Sequence, residues 1–173
     1  MVRRLMPLVL LVCLAMPLPA QPRPADSQVH NPQDRSERVK KGVSHFDRAF
    51  YELTPRKRDA EASREFDLAI GEFEAELRER PTSIEAHRYL GRILTARKQF
   101  LQAARHYDAI SGFDPGDVDA CVLAAVAWAD AGELGEARTR LLKARGRTTD
   151  PGALARLNEY LAKLDRDHPI PRM

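Results

Sequence analysis

The chain has 173 residues, of which 43% are apolar and 31% charged, a composition that suits one folded domain with a modest core. Its formal net charge is +3, and acidic and basic residues are interspersed along the whole length. This distribution excludes the concentrated basic face that nucleic-acid-binding proteins need, so we expect no nucleic-acid partner.

Residues 1–20 have the layout of a secretory signal peptide, with a basic start, an apolar run over 5–18 and a small residue at the end. The run is shorter than the roughly 20 apolar residues of a membrane-spanning helix. We expect export and cleavage after Ala20. Lipid attachment at Cys13 and an uncleaved anchor are the alternatives, although Val12 is a poor match to a lipid-attachment site. The predicted location is the periplasm, with secreted or membrane-anchored forms as alternatives.

Residues 21–35 are polar and contain three prolines, which predicts a disordered linker, and residues 167–173 predict a flexible tail. The segment 36–166 between them has helical periodicity and no alternating strand pattern. Apolar spacing together with proline and glycine breaks predicts seven helices. They cover 36–53, 60–80, 84–97, 100–111, 118–131, 134–146 and 152–167.

A repeat of 34 residues runs through these helices. It is clearest at Ala69, Ala103 and Ala137, and again at Phe73 and Tyr107. Two antiparallel helices approach closely only where small side chains meet, so the repeat predicts packed helix pairs. A single pair cannot bury its apolar stripe, and about three stacked pairs are needed for stability.

The pattern resembles the tetratricopeptide repeat family, whose repeat has a Leu-Gly pair in its first helix, an alanine and an aromatic residue in its second, and a closing proline. The copy that matches best carries Leu90, Gly91, Ala103, Tyr107 and Pro115. The first copy matches only in its second helix, because Arg56 and Lys57 stand where the Leu-Gly pair belongs. We infer an insertion in that turn, with the first helix displaced to about 36–53.

The resemblance implies an all-α fold, a right-handed α-solenoid of three antiparallel helix pairs plus a C-terminal sealing helix. It covers about residues 36–166. The layout also looks like small exported bacterial repeat proteins. In outline it is similar to lipid-anchored repeat proteins that assist pilus or outer-membrane assembly.

The sequence has no pattern that indicates catalysis or a bound metal or cofactor. Its five histidines show no metal-ligand spacing, and it has no phosphate-binding glycine loop and no nucleophile elbow. Cys121 is expected to be a small buried residue, and His87 and His106 to lie beside the packing stripe. An acidic cluster is expected on a solvated helix face and consists of Glu72, Glu74, Glu76 and Glu79. We therefore predict neither an enzyme nor a cofactor or metal site.

In proteins of this family the first helix of each pair lines the concave side. The resemblance therefore implies a partner-binding groove formed by Glu85, Arg88, Arg92, Asp119, Val122 and Val126. Two arginines one turn apart can hold a carboxylate by bidentate hydrogen bonds, and the valines could take an aliphatic side chain. The opposing interpretation is that Arg88 and Arg92 only keep the surface soluble, and that the last helix covers Val122 and Val126.

These features predict a non-catalytic protein–protein interaction module of the cell envelope. It would bind a peptide segment or a partner helix on its concave face, and the identity of that partner is open. The alternative is a structural accessory subunit of an envelope assembly, of the pilus or outer-membrane biogenesis type. Membrane contact is expected only through the transient signal peptide or through a lipid at Cys13.

Overall fold

The computed structural model describes residues 35–167, and every regular element in that range is helical. The seven α-helices are α1 Glu37–Asp47, α2 Asp59–Glu79, α3 Ile84–Ala96, α4 Phe100–Phe113, α5 Val118–Asp130, α6 Leu134–Arg145 and α7 Pro151–Asp167. No helix within 35–167 is long and apolar enough to cross a bilayer. The predicted signal peptide, its cleavage site, Cys13, nearly all of the linker and the last six residues lie outside the described residues.

Consecutive helices pack against each other, which forms the pairs α1/α2, α3/α4 and α5/α6. The pairs stack side by side, and α7 packs on α6 and touches α5. The fold is an all-α solenoid of three antiparallel helix pairs closed by a C-terminal helix. The predicted fold class is therefore confirmed.

The first helix of each pair starts at a side-chain cap. Ser36, Ser83 and Asp117 each accept a hydrogen bond from a backbone N–H three residues further on. Such caps satisfy one of the N–H groups that a helix start leaves without an intrahelical partner. The sequence therefore defines where every new pair begins.

The two helices of each pair are joined by the same type of turn. One residue in each turn has a positive φ, namely Lys57 (56°), Lys98 (59°) and Gly132 (87°). The N–H of the next residue then bonds to a carbonyl five residues back, as in the 2.8 Å bond from Gln99 to Leu94. This is the Schellman arrangement, which satisfies the free carbonyls at a helix end.

The first pair is longer than the others. Lys57 precedes Lys98 by 41 residues, seven more than the repeat of 34. Those seven residues lie in α2, which has 21 residues where α4 has 14. The first helical path of the pair is extended as well, because the chain continues beyond α1 through a π-helical turn (Arg48–Leu53) and a 3₁₀ turn (Thr54–Arg56). The insertion inferred from sequence is present, but the helical path runs to Arg56 instead of ending at Leu53.

Within residues 35–167 the interior has two apolar clusters. The larger one extends from α1 to α5, and the smaller one joins α5, α6 and α7 around Leu141, Leu157 and Leu161. Cys121 belongs to the smaller cluster and is buried, as predicted. Trp128 packs against both clusters and so connects the last pair to the rest of the stack.

A polar contact reinforces the junction between the second and third pairs. Asp108 on α4 accepts hydrogen bonds from Trp128 Nε1 on α5 at 2.9 Å and from Arg140 Nε and Nη2 on α6 at 3.1 and 3.0 Å. The Arg140 guanidinium also lies 5.3 Å from the Trp128 ring. The hydrogen bond to Asp108 raises the pKa of Arg140, so this charge is permanent. One carboxylate thus ties three helices together.

Candidate functional site

The six residues predicted to form the groove lie on the first helices of the second and third pairs. Glu85, Arg88 and Arg92 are on α3, and Asp119, Val122 and Val126 are on α5. None of the six is fully buried. We call this set the first-helix stripe. The surroundings of its members differ, and those surroundings decide which of them a ligand could reach.

Arg88 is already bound to another part of the fold. Its Nη2 lies 2.6 Å from Oδ2 of Asp117, whose other oxygen caps α5 by accepting the Ala120 N–H at 2.8 Å. The ion pair therefore connects α3 to the start of the third pair. The sequence predicts that Arg88 and Arg92 bind one carboxylate together. In this structure Arg88 forms an ion pair with Asp117 instead.

Arg92 has a different environment, formed by aromatic rings. Its guanidinium carbon lies 4.6 Å from the ring centre of Phe46, 5.6 Å from Tyr89 and 5.8 Å from Phe50. Within residues 35–167 no carboxylate forms an ion pair with it. Stacking on aromatic faces holds the flat guanidinium in place and leaves its edge donors available.

The aromatic rings below Arg92 form a continuous layer, which we call the aromatic floor and define as Phe46, Phe50, Tyr89 and Phe73. Phe46 stacks on Phe50 at 5.4 Å and meets Tyr89 edge to face at 5.0 Å. Tyr89 in turn stacks on Phe73 at 5.1 Å. Both offset stacking and edge-to-face contact are favourable ring geometries. These ring contacts connect α1, α2 and α3.

The floor continues to the surface through Phe50 and Tyr51. These side chains are 40% and 53% exposed, and their rings meet edge to face at 5.1 Å. Both lie in the π-helical turn that follows α1. The contact of Phe46 and Phe50 with Arg92 was not identified from the sequence. The only available signal was their spacing of four residues, which puts them on one helix face.

The outer members of the stripe make ion pairs of unequal strength. Glu85 lies 2.7 Å from Arg35, and both side chains are about three-quarters covered. This contact holds the chain just before α1 against the start of α3. Asp119 lies 3.2 Å from Arg156 of α7, and both are more than half exposed, so that pair contributes little to stability.

The two valines differ in how far α7 covers them. Val122 packs against the smaller apolar cluster, which contains Leu157 and Leu161 of α7. Val126 is 38% exposed. The interpretation that the last helix covers both valines therefore holds in part for Val122 and does not hold for Val126.

The buried tyrosines beside the stripe are poor acid–base groups at neutral pH. Burial raises the pKa of Tyr89 to about 12, and Asp47 and Glu85 add to the rise. Burial also raises the pKa of Tyr107. Both phenols thus remain protonated, and they contribute ring surface and hydroxyl donors rather than phenolate chemistry.

One residue of the predicted solvated acidic face is buried, so that prediction was wrong for Glu76. It is only 1% exposed. Its Oε2 accepts a hydrogen bond from Ser36 Oγ at 2.7 Å, and its Oε1 lies 2.8 Å from Arg80 Nε. The start of α1 covers this turn of α2, and the two polar partners offset the desolvation of the carboxylate.

The fold also brings two histidines together that are 19 residues apart in sequence. Nδ1 of His87 on α3 lies 2.9 Å from Nδ1 of His106 on α4. Burial lowers the pKa of His106 to about 4, and the neighbouring His87 adds to this effect. Within the described part of the chain no cluster of three or more metal-ligating side chains occurs.

Helix pairs in a 34-residue register, joined by Schellman turns and closed by a capping helix, define a tetratricopeptide-like repeat scaffold. No protein-family model matches this chain, and no curated protein matches it. Among solved structures it is similar to the N-terminal domain of stress-induced protein-1 (STI-1) from C. elegans. The identity is 13%, the coverage is 72% of this chain and 98% of that chain, and the TM-score is 0.49. It is also similar to the MamA RS-1 ArsTM double mutant, at 17% identity, coverage of 78% and 98%, and a TM-score of 0.44.

Proposed function

We propose that this chain is a non-catalytic protein-binding module of the cell envelope. It binds a peptide segment or a partner helix across the first helices of its pairs. The observation that carries the proposal is Arg92, a cation without an ion-pair partner within residues 35–167 that rests on the aromatic floor.

A guanidinium held in this way is a prepared anchor for a carboxylate. The stacking on Phe46 limits the motion of the Arg92 side chain before any partner arrives. Less side-chain entropy is then lost on binding, which favours affinity. A carboxylate on the partner would accept charge-assisted hydrogen bonds from the free edge, and these are stronger than bonds between neutral groups.

Apolar surface is available on both sides of this anchor. Phe50 and Tyr51 are exposed on the first pair, and Val126 is exposed on the third. Aromatic residues and arginine are enriched where protein interfaces bind most strongly. A partner segment with an acidic residue flanked by apolar side chains fits this surface. Arg88 does not take part in this binding, because it forms an ion pair with Asp117.

The first experiment places a photo-crosslinking residue at Val126, which leaves Arg92 intact. The matched control places the same residue at Arg105, an exposed position on a second helix, α4. We expect a discrete adduct from Val126 alone in cells, and a several-fold weaker adduct when Arg92→Gln is added. Equal adducts from both positions, or an adduct that Arg92→Gln leaves unchanged, would contradict the proposed site.

The alternative function is a structural accessory subunit of an envelope assembly of the pilus or outer-membrane biogenesis type, in a free or a lipid-anchored form. Leu142 on α6 and Tyr160 on α7 support it, because both are large apolar side chains about 40% exposed on the last two helices. Light scattering during size exclusion separates the two functions. A stable oligomer that Leu142→Glu with Tyr160→Glu dissociates favours the accessory subunit, and a monomer at every concentration favours the binding module.

The envelope location is part of the proposal and rests on the leader-like residues 1–20. Cell fractionation together with the mass of the mature chain tests it. Cleavage after Ala20 gives a free exported form, and a mass that includes lipid on Cys13 gives an anchored form. A full-length chain in the cytoplasm would contradict the location and leave the binding surface to be tested separately.

A further inference from the structure

Two imidazoles meet between the helices of the second pair. The Nδ1 atoms of His87 and His106 are 2.9 Å apart, and their ring centres are 5.1 Å apart. Both side chains are partly exposed, so solvent and small ions reach them. Neither residue belongs to the first-helix stripe, and the proposed binding function does not use them.

The protonation state of His87 follows from its second contact. Its Nε2 lies 3.0 Å from the backbone oxygen of Pro81. A carbonyl oxygen can only accept, so Nε2 carries the proton and Nδ1 presents a lone pair towards His106. Histidines that bind metals have this arrangement, in which one ring N–H donates to a backbone carbonyl and the other nitrogen faces the ion.

We propose that His87 and His106 bind a zinc ion through their two Nδ1 atoms. With Zn–N bonds of about 2.0–2.1 Å, tetrahedral coordination puts the two nitrogens about 3.3 Å apart and the ring centres about 5.2 Å apart. The ring centres already stand at 5.1 Å. A tilt of roughly 35° in each ring would widen the nitrogen separation to the value that zinc needs, with no movement of α3 or α4.

The positions of the protons on the two imidazoles also permit zinc binding. Without zinc, His106 donates its Nδ1–H to His87. On binding, that proton moves to Nε2 of His106, and Nδ1 becomes a ligand with no net change in charge on the imidazole.

A zinc ion at this site would have coordination positions that no protein side chain fills. Within residues 35–167 no third histidine, cysteine or carboxylate joins the pair. Water would therefore fill the two remaining positions of the tetrahedron, one more than in catalytic zinc sites, which have three protein ligands. The Phe113 ring lies 5.7 Å from His87 and shields one side of the pair.

Calorimetric titration of zinc chloride into the chelator-treated full chain at pH 7.5 tests the proposal. We expect one zinc per chain, and at least tenfold weaker binding in His87→Gln and in His106→Gln. His45→Gln is the matched control, because His45 is a partly exposed histidine paired with Glu65 on other helices, and it should leave the affinity unchanged. The proposal would be overturned if the natural chain bound no zinc up to about 1 mM. It would also be overturned if the double variant His87→Gln/His106→Gln bound zinc as tightly as the natural chain.

A second measurement needs no substitution and so remains decisive even if the variants fold poorly. Long-range ¹H–¹⁵N spectra of the natural chain report the state of each histidine nitrogen. Zinc should shift the Nδ1 signals of two histidines and leave the remaining three unchanged. Shifts at other histidines only, or none, would show that zinc does not bind between His87 and His106.

Discussion

Gly91 lies directly under the ring of Tyr107, so close that a Cβ atom on Gly91 would stand 2.6 Å from two of the ring carbons. The first pair repeats this contact, since a Cβ on Gly42 would stand 2.7 Å from the Phe73 ring. Gly42 precedes Gly91 by 49 residues, whereas Phe73 precedes Tyr107 by 34. The insertion therefore shifted the sequence register but preserved the place where the two helices approach most closely.

Substitution of Gly91 by alanine is expected to destabilise the protein. Overpacking against Tyr107 costs about 1–3 kcal/mol, which exceeds the roughly 1 kcal/mol that alanine gains as a helix former. Urea unfolding measures the difference. Gly71→Ala is the control, because no atom lies within 4 Å of a Cβ there, and it should be neutral or stabilising by up to about 1 kcal/mol. Equal effects of the two substitutions would contradict the close contact.

The same contact predicts a rescue. In the third pair the equivalent positions are Ala125 and Leu141, both buried. Adding Tyr107→Leu to Gly91→Ala reproduces that combination and should recover part of the lost free energy of unfolding, by about 1 kcal/mol. Additive losses in the double variant would mean that the ring is not what restricts position 91.

Lys98 has a left-handed backbone that glycine adopts more easily. Its φ is 59°, and Gly132 occupies the equivalent turn 34 residues later. Lys98→Gly should therefore raise the free energy of unfolding by up to about 1 kcal/mol, since the left-handed conformation costs a non-glycine residue about 1–2 kcal/mol and glycine loses more entropy on folding. Thermal unfolding measures the shift. Lys143→Gly, inside α6, should cost about 1 kcal/mol, and stabilisation by both would refute the backbone explanation.

Asp108 is expected to contribute more to stability than an exposed carboxylate. Asp108→Ala removes the partner of both Trp128 and Arg140 and should cost about 1–3 kcal/mol by chemical denaturation. The control is Asp67→Ala, which breaks an ion pair with Arg97 in which the carboxylate is 65% exposed. That change should stay within about 0.5 kcal/mol. If Asp108→Ala lost no more unfolding free energy than Asp67→Ala, the contacts of Asp108 with Trp128 and Arg140 would not be a source of stability.

The lowered pKa of His106 predicts a dependence of stability on pH. Between its ordinary value of 6.5 and about 4, the unfolded chain binds a proton that the folded chain does not. Stability therefore falls as the pH decreases through this window and levels off, for this group, below pH 4. Denaturation at several pH values in the natural chain and in His106→Gln measures the difference, and the variant should have the shallower slope. An identical slope would mean that His106 titrates normally in the folded protein.

The helices and their stacking could be predicted from sequence because the determining forces are local. The spacing of Ala69, Ala103 and Ala137, together with caps such as Asp117 and breaks such as Pro115, specifies where helices begin, end and approach. The site was predicted less well. The sequence placed all six members of the first-helix stripe on α3 and α5, but it did not reveal the ion pair between Arg88 and Asp117.

Only the tertiary structure decided which side chains meet across helices. Arg92 rests on Phe46, which is 46 residues away in the chain, and His87 meets His106 across 19 residues. Glu76 is buried because the start of α1 folds over it. Helical periodicity states which face a residue occupies, whereas the partner on the opposing face depends on how far two helices slide and rotate against each other. That relation is set by the packing of the whole stack, through contacts such as Gly91 with Tyr107.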